Sequence, residues 1–212
     1  MADKNEFISF LTGAGVLTFC DFVTKSGRKT PYFINTGNYR TGSQISRLGD
    51  WYAKTIAESG EEFDALFGPA YKGIPLAAAA ASSLFRLYGR DVPYCFNRKE
   101  IKDHGEGGGI VGYRPKDGDR IAIVEDVVTA GTAVRESLSF LAGVADVTVT
   151  ALFVSVDRME RGTGALSALD ELRESLGINV HPIITVRDII ASIPADDPRR
   201  AAMESYLAKY GA

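Results

Sequence analysis

The stretch IAIVEDVVTAGTAVRES, residues 121–137, decides how the rest of the chain is read. Four apolar residues, Ile121 to Val124, make a short buried strand that runs straight into two adjacent carboxylates, Glu125 and Asp126. Thr129-Ala130-Gly131-Thr132 then leads into helical spacing, expected from Thr132 to Leu141. Like charges side by side repel, and folding alone has no use for them at a strand end, so the pair points to a ligand. A strand that turns directly into a helix is half of a βα unit. That places the acids at the carboxyl end of a parallel strand, where such sheets bind their ligands.

Outward from this stretch the same alternation continues. Upstream come strand ALFG (65–68), an alanine-rich helix from Ile74 to Tyr88, and strand VPYCF (92–96). Downstream come strand VTVTALFVSV (147–156), a helix at about 164–176, strand VHPIITV (180–186) and a surface helix from Pro198 to Tyr210. Ile45, Leu48, Tyr52 and Ile56 recur at helical spacing behind Ser43, which is expected to cap that helix. Short apolar strands alternating with helices predict an α/β fold, with a mostly parallel central sheet flanked by helices. The first 40 residues or so differ. A short helix over Phe7 to Leu11 ends at Gly13, and LTFCDFVTKSGRKTPYFINTG reads as two strands around Ser26-Gly27, with Phe19, Phe22, Tyr32 and Ile34 apolar. The chain therefore reads as one domain, 1–212, with a small N-terminal hood (about 1–40) on a core of about 41–212.

Composition narrows the function. The 212 residues are 45% hydrophobic and 24% charged, as in a soluble globular protein. A net charge of −3 gives no support to a nucleic-acid-binding face. Cys20 and Cys95 lack any metal-binding spacing, and Cys95, inside VPYCF, is expected to be a small core residue. Residues 7–20 carry no charge, but Asp3 and Glu6 precede them and Gly13 and Gly15 interrupt them, unlike a signal sequence. No other segment approaches a membrane span. The expected setting is cytoplasmic, with no membrane and no nucleic-acid partner.

Three elements carry chemistry. In the opening stretch, amides and hydroxyls at a helix start form a phosphate cradle, where the helix dipole contributes roughly 0.3–2 kcal/mol. Glu125 and Asp126 can accept hydrogen bonds from paired sugar hydroxyls and help hold Mg²⁺. Acids plus cradle fit a ribose 5-phosphate group. A solvated acidic turn with Thr132 as helix cap explains either acid alone, but not the whole string. The second element, GPAYKGIP (68–75), is a tight turn with Lys72 as its one cation, suited to a second anion. The third, NRKEIKDHGEGGGIVG (97–112), places Arg98, Lys99, Lys102 and His104 within seven residues, followed by Gly105, Gly107, Gly108 and Gly109. So many glycines predict a mobile basic lid rather than a strand or helix. His181, in an apolar strand before Pro182, reads as structural.

Together these elements resemble the type I phosphoribosyltransferase family. VEDVVTAGTA resembles its motif for phosphoribosyl pyrophosphate (PRPP). TKSGRKTPYFINTG, FGPAYKGIPLA, RKEIKDHGEGG and SVDRMERG resemble the orotate-specific members, over about residues 8–190. The resemblance implies transfer of the 5-phosphoribosyl group from PRPP to orotate, giving orotidine 5′-monophosphate and pyrophosphate in pyrimidine synthesis. It also implies a homodimer whose active sites are shared between subunits, and dependence on Mg²⁺ carried mainly by PRPP, with Asp126 as the candidate protein ligand. By matched position, PRPP would be bound by Lys25 at the entrance shared with orotate, by Tyr71 and Lys72 on the pyrophosphate side, and by Arg98, Lys99, Lys102 and His104, which would form the catalytic loop. Glu125, Asp126, Val127, Val128, Thr129, Ala130, Gly131, Thr132 and Ala133 would hold its ribose phosphate. Lys25, Phe33, Ile34, Thr129 and Arg158 would meet orotate, and Lys99, Lys102, His104 and Asp126 are the catalytic candidates. Family members often carry two aromatics where this chain has Phe33-Ile34. The rivals are a phosphoribosyltransferase for another nucleobase, which leaves the DRMERG arginine and the basic loop unexplained, and a PRPP-sensing regulator, which would need a basic face. No GxxxxGK[ST] or GxGxxG string supports a generic nucleotide module. Lys102→Ala is expected to lower kcat by on the order of 10²-fold or more, as for other preorganised charge contacts; steady-state turnover near wild type would remove that role.

Overall fold

The computed structural model describes residues 2–23, 27–99, 109–128, 131–161 and 164–212. In chain order the elements are α1 (Ala2–Gly13), β1 (Leu17–Val23), β2 (Lys29–Ile34), α2 (Gly42–Ser59), β3 (Ala65–Phe67), α3 (Gly73–Tyr88) and β4 (Tyr94–Asn97). They continue with β5 (Ile110–Gly112), β6 (Arg120–Glu125), α4 (Thr132–Ala142), β7 (Thr148–Asp157), α5 (Ala168–Leu176), β8 (Asn179–Thr185), α6 (Val186–Ser192) and α7 (Pro198–Tyr210). β1 and β2 pair antiparallel as a separate two-stranded sheet. The other six strands form one sheet in the order β5-β4-β3-β6-β7-β8, parallel throughout except for the β4–β5 pair. The expected α/β architecture is therefore present.

Residue alternation explains why the sheet is covered on both faces. Along β6, Ala122 and Val124 belong to one apolar cluster, while Ile121 and Ile123 belong to the other. β7 divides likewise, with Ala151 and Phe153 on one side and Leu152 and Val154 on the other. The first cluster takes in α1, α2, α3, α6 and α7; the second takes in α4 and α5. Full burial of each such Val, Leu, Ile or Phe side chain contributes roughly 1.5–3 kcal/mol. Cys95 lies wholly buried in the second cluster, and burial pushes its thiol up to about 12.

Several element ends differ from expectation, each for a local reason. Ser43 does not cap α2. Thr41 does, in a capping box with Gln44: the Gln44 amide donates to the Thr41 hydroxyl, and the Gln44 side chain accepts from the Thr41 amide. α5 starts at Ala168 rather than near 164, because the Ser167 hydroxyl accepts from the Asp170 amide at 3.1 Å. α1 begins well before Phe7, and β4 runs from Tyr94 rather than Val92. Two elements went unforeseen: the three-residue edge strand β5, and α6, which continues the apolar run of β8 behind a Thr185–Asp188 capping box. His181 is structural as expected, its Nε2 lying 2.7 Å from Glu61 Oε1 and its ring stacked on Phe153.

α2 crosses α3 at Gly49. A Cβ there would stand 2.6 Å from the Ala79 carbonyl oxygen and 2.9 Å from the Ala79 methyl. Since part of the obstruction is backbone, the helices themselves would have to separate. Gly49→Val is expected to destabilise the protein by about 1–3 kcal/mol, the usual cost of overpacking, read as a lower urea midpoint in equilibrium unfolding.

Candidate active site

The carboxyl ends of β3, β6 and β7 and the end of β2 converge on Asp126. β6 ends at Glu125, and the next residue, Asp126, is only 8% exposed, while Glu125 is 7% exposed. A buried carboxylate needs donors, and two distant chain segments supply them. Lys72, from the turn after β3, donates to Asp126 Oδ2 at 2.8 Å, and the Thr36 hydroxyl, just beyond β2, donates to the same oxygen at 2.5 Å. The Asp126 carbonyl accepts from the Ser155 amide and hydroxyl in β7. Glu125 is arranged differently. Its Oε1 accepts from the Asp126 amide at 3.0 Å, and its carbonyl accepts from the buried Tyr52 hydroxyl at 2.6 Å.

These surroundings separate the two acids electrostatically. Burial, reinforced by the neighbouring Asp126 charge, raises the Glu125 carboxyl well above its ordinary value of 4.5. Burial acts on Asp126 in the same sense, but hydrogen bonds from Lys72, Thr36 and the Val127 amide outweigh it and hold that carboxyl low. Asp126 is the anion of the pair, and Glu125 is its protonated neighbour well into the neutral range.

From the acids a cavity of about 320 Å³ extends along Val127 and Val128 to Gly131, Thr132, Ala133, Val134 and Glu136. Gly131, not Thr132, occupies the N-cap of α4, with φ of +71° and no side-chain hydrogen bond. The first turn of α4 therefore has no side-chain cap from its N-cap residue and lines the cavity, the position an anion-binding helix start requires. Gly131 is also backed by Leu172, 3.3 Å from where a Cβ would stand.

The Lys72 turn is built by close approach. A Cβ on Gly68 would collide with the Gly73 carbonyl, and one on Gly73 would stand 2.6 Å from Pro69 Cδ. The Ala70 amide donates to Asn97 Oδ1 at 2.8 Å, and the Ala70–Tyr71 peptide is cis. Tyr71 is 65% exposed, with the Lys99 ammonium 5.3 Å from its ring centroid. Arg98, exposed at the end of β4, is joined through its amide to the Gly109 carbonyl at 2.6 Å. Lys25, Lys102, His104, Thr129 and Ala130 lie outside the described residues. Among the described residues, no group of three or more His, Cys, Asp or Glu side chains could hold a metal ion.

Arg158 follows β7. Its Nε and Nη2 both donate to Glu160 Oε1, at 3.0 and 2.6 Å, and its guanidinium lies over the Tyr32 ring at 5.0 Å. Phe33 stacks on Phe22 across the β1–β2 hairpin, while Ile34 pairs with Leu17 and packs against the first cluster. Sequence reasoning missed Thr36, Tyr52, Ser155 and Glu160. Ser155 and Glu160 lie in the SVDRMERG string and Thr36 in TKSGRKTPYFINTG, but neither string singles them out, and Tyr52 read only as a core position of its helix.

A mostly parallel sheet with paired acids and an open helix start beyond one strand is the layout of a phosphoribosyltransferase, and the family described as phosphoribosyl transferase domain matches residues 35–163. Orotate phosphoribosyltransferase from Clostridium beijerinckii is 50% identical, over 100% of this chain and 99% of its own length. That from Cronobacter sakazakii is 48% identical over 98% of each. The solved structure of orotate phosphoribosyltransferase from Francisella tularensis matches with a TM-score of 0.89 at 36% identity, covering 98% of this chain and 100% of that one. The chain belongs to the orotate phosphoribosyltransferase family.

The split between the acids predicts a pH dependence. A carboxyl raised in the folded state binds its proton more tightly there than when unfolded. Its stabilisation is complete below 4.5 and is lost as pH rises through the folded value. Glu125→Gln removes this dependence. Between pH 5 and 8 the urea midpoint of the wild type is expected to fall relative to that of Glu125→Gln; parallel profiles would refute the assignment.

Proposed function

We propose that the chain transfers the 5-phosphoribosyl group of PRPP to orotate, forming orotidine 5′-monophosphate and releasing pyrophosphate. The observation that carries this reading is the charged Asp126, fixed by Lys72 and Thr36, beside a cavity that ends on the open start of α4. Asp126 and Glu125 receive the paired ribose hydroxyls, with Glu125 also able to donate while protonated. The amides from Gly131 onward, with Thr129, Ala130, Thr132 and Ala133, take the 5-phosphate. Lys72, freed from Asp126 as the sugar binds, turns to the diphosphate with Tyr71, Arg98 and Lys99. Lys102 and His104 stabilise or protonate the same leaving group.

In the reaction the bond from ribose C1 to the diphosphate oxygen breaks and a bond from C1 to the orotate nitrogen forms, the proton of that nitrogen passing to the departing diphosphate or to solvent. Positive charge grows on the sugar and negative charge on the leaving group, so no protein nucleophile is needed. Arg158, with Lys25, Thr129 and the Phe33-Ile34 segment, selects the base, since a guanidinium matches a carboxylate. Mg²⁺ fits this site as a passenger on PRPP, with Asp126 the residue that would touch it. When bound, it neutralises diphosphate charge. A homodimer whose basic loops reach across to the partner's site, and a cytoplasmic setting, belong to the same reading. Among the described residues no helix is long and apolar enough to cross a membrane.

The purified protein, given PRPP and Mg²⁺ with orotate, uracil or hypoxanthine in turn, is expected to consume orotate alone. Use of uracil or hypoxanthine instead would overturn the specificity, and inertness with every base would favour a PRPP-sensing role. Sedimentation at a monomer mass would remove the shared-site dimer.

A further inference from the structure

Glu160 belongs to a cluster that the reaction as described does not use. The carboxylate is half enclosed beneath Arg158, with side-chain exposures of 15% for Glu160 and 12% for Arg158. Its Oε1 accepts from Arg158 Nε and Nη2 and also from the hydroxyl of Tyr32, at 3.1 Å. Its Oε2 faces Arg28 Nη1 at 3.9 Å. The fully buried Tyr32 thus holds Arg158 by its ring face and Glu160 by its hydroxyl.

The backbone between the two charged residues is also fixed. Met159 has φ of +50°, a left-handed conformation uncommon for a residue with a Cβ. Such an outlier persists only where its surroundings hold it. The Met159 amide donates to Asp157 Oδ1 at 2.8 Å, and the Met159 carbonyl accepts from the Ala212 amide at 2.9 Å. The Arg161 amide donates to the Tyr210 carbonyl, also at 2.9 Å.

The geometry leaves one edge of the guanidinium available. Of the five N–H groups of an arginine, Glu160 takes the side-on pair, one on Nε and one on Nη2. Nη1 is engaged by no described residue, so the end-on edge, Nη1 with the second hydrogen of Nη2, remains. That edge is a fork of the kind that grips a carboxylate with two parallel hydrogen bonds.

We propose that Glu160 is a positioning residue for base selection: it locks Arg158 from the side so that the end-on fork faces the carboxylate of the base. Tyr32 and the Met159 turn keep Glu160 in place. Without Glu160 the guanidinium would lose its lateral partner and settle over a range of torsions, and the base carboxylate would have to order it on binding. The role rests on the assignment of Arg158 to orotate made above.

The test compares KM for orotate and for PRPP in Glu160→Ala, Glu160→Gln and Arg158→Ala. Glu160→Ala is expected to raise KM for orotate about tenfold or more, the scale of a lost charged hydrogen bond, with KM for PRPP unchanged. Glu160→Gln, which keeps an oxygen for Nε and Nη2, should recover most of that loss. The unchanged PRPP value in the same variant shows that the fold is intact. If Arg158→Ala raises KM for orotate but Glu160→Ala leaves it unchanged or lowers it, Glu160 merely competes for Arg158 and the proposal falls. A parallel rise in both KM values would show general disruption and equally overturn it. If Arg158→Ala itself spares orotate binding, the base-site assignment fails, and the role of Glu160 with it.

Discussion

A charged carboxylate placed under the rim of a parallel sheet must be given donors, and the organisation of this molecule follows from meeting that need at Asp126. Lys72 reaches it from the β3–α3 turn and Thr36 from the end of the hairpin strand β2. The N-terminal hairpin, which makes no strand pairing with the main sheet, is thereby tied to its functional edge. The same need explains why Gly68 and Gly73 press together without side chains: that tight turn is what brings Lys72 within 2.8 Å.

The second acid behaves differently because it lacks such donors. Among the described residues the Glu125 carboxyl receives only the amide of its neighbour, and burial raises it above its ordinary value. The two adjacent carboxylates do not repel strongly, because they share one negative charge between them in the neutral range. A ligand bringing paired hydroxyls thus meets an acceptor and a group able to donate, side by side.

The fold was legible where period and punctuation agree. Ile121 to Val124 followed by Gly131 and Thr132 gave both a strand and a helix start. Short or continuous elements were not legible. β5 is three residues that follow Gly109 and end on Gly112, and the apolar run of β8 passes into α6 with only Thr185 and Asp188 to mark the change. In the site, the residues that a motif names were found and those that support them were not. Thr36 lies 90 positions from Asp126, and Tyr32 lies 128 positions from Glu160. An ordinary Thr or Tyr carries no sign of its partner until the chain has folded.

One attachment described above reaches beyond geometry. The last residues of the chain bond through their backbone to the turn between Arg158 and Arg161, and helix α7 buries Met203 and Tyr206 in the core beside Tyr32. Local opening of that helix therefore loosens the turn that carries Arg158. Thermodynamic linkage runs both ways: whatever binds Arg158 must also slow the opening of α7, so the far end of the chain becomes a reporter of occupancy at the site, legible as amide protection rather than as turnover.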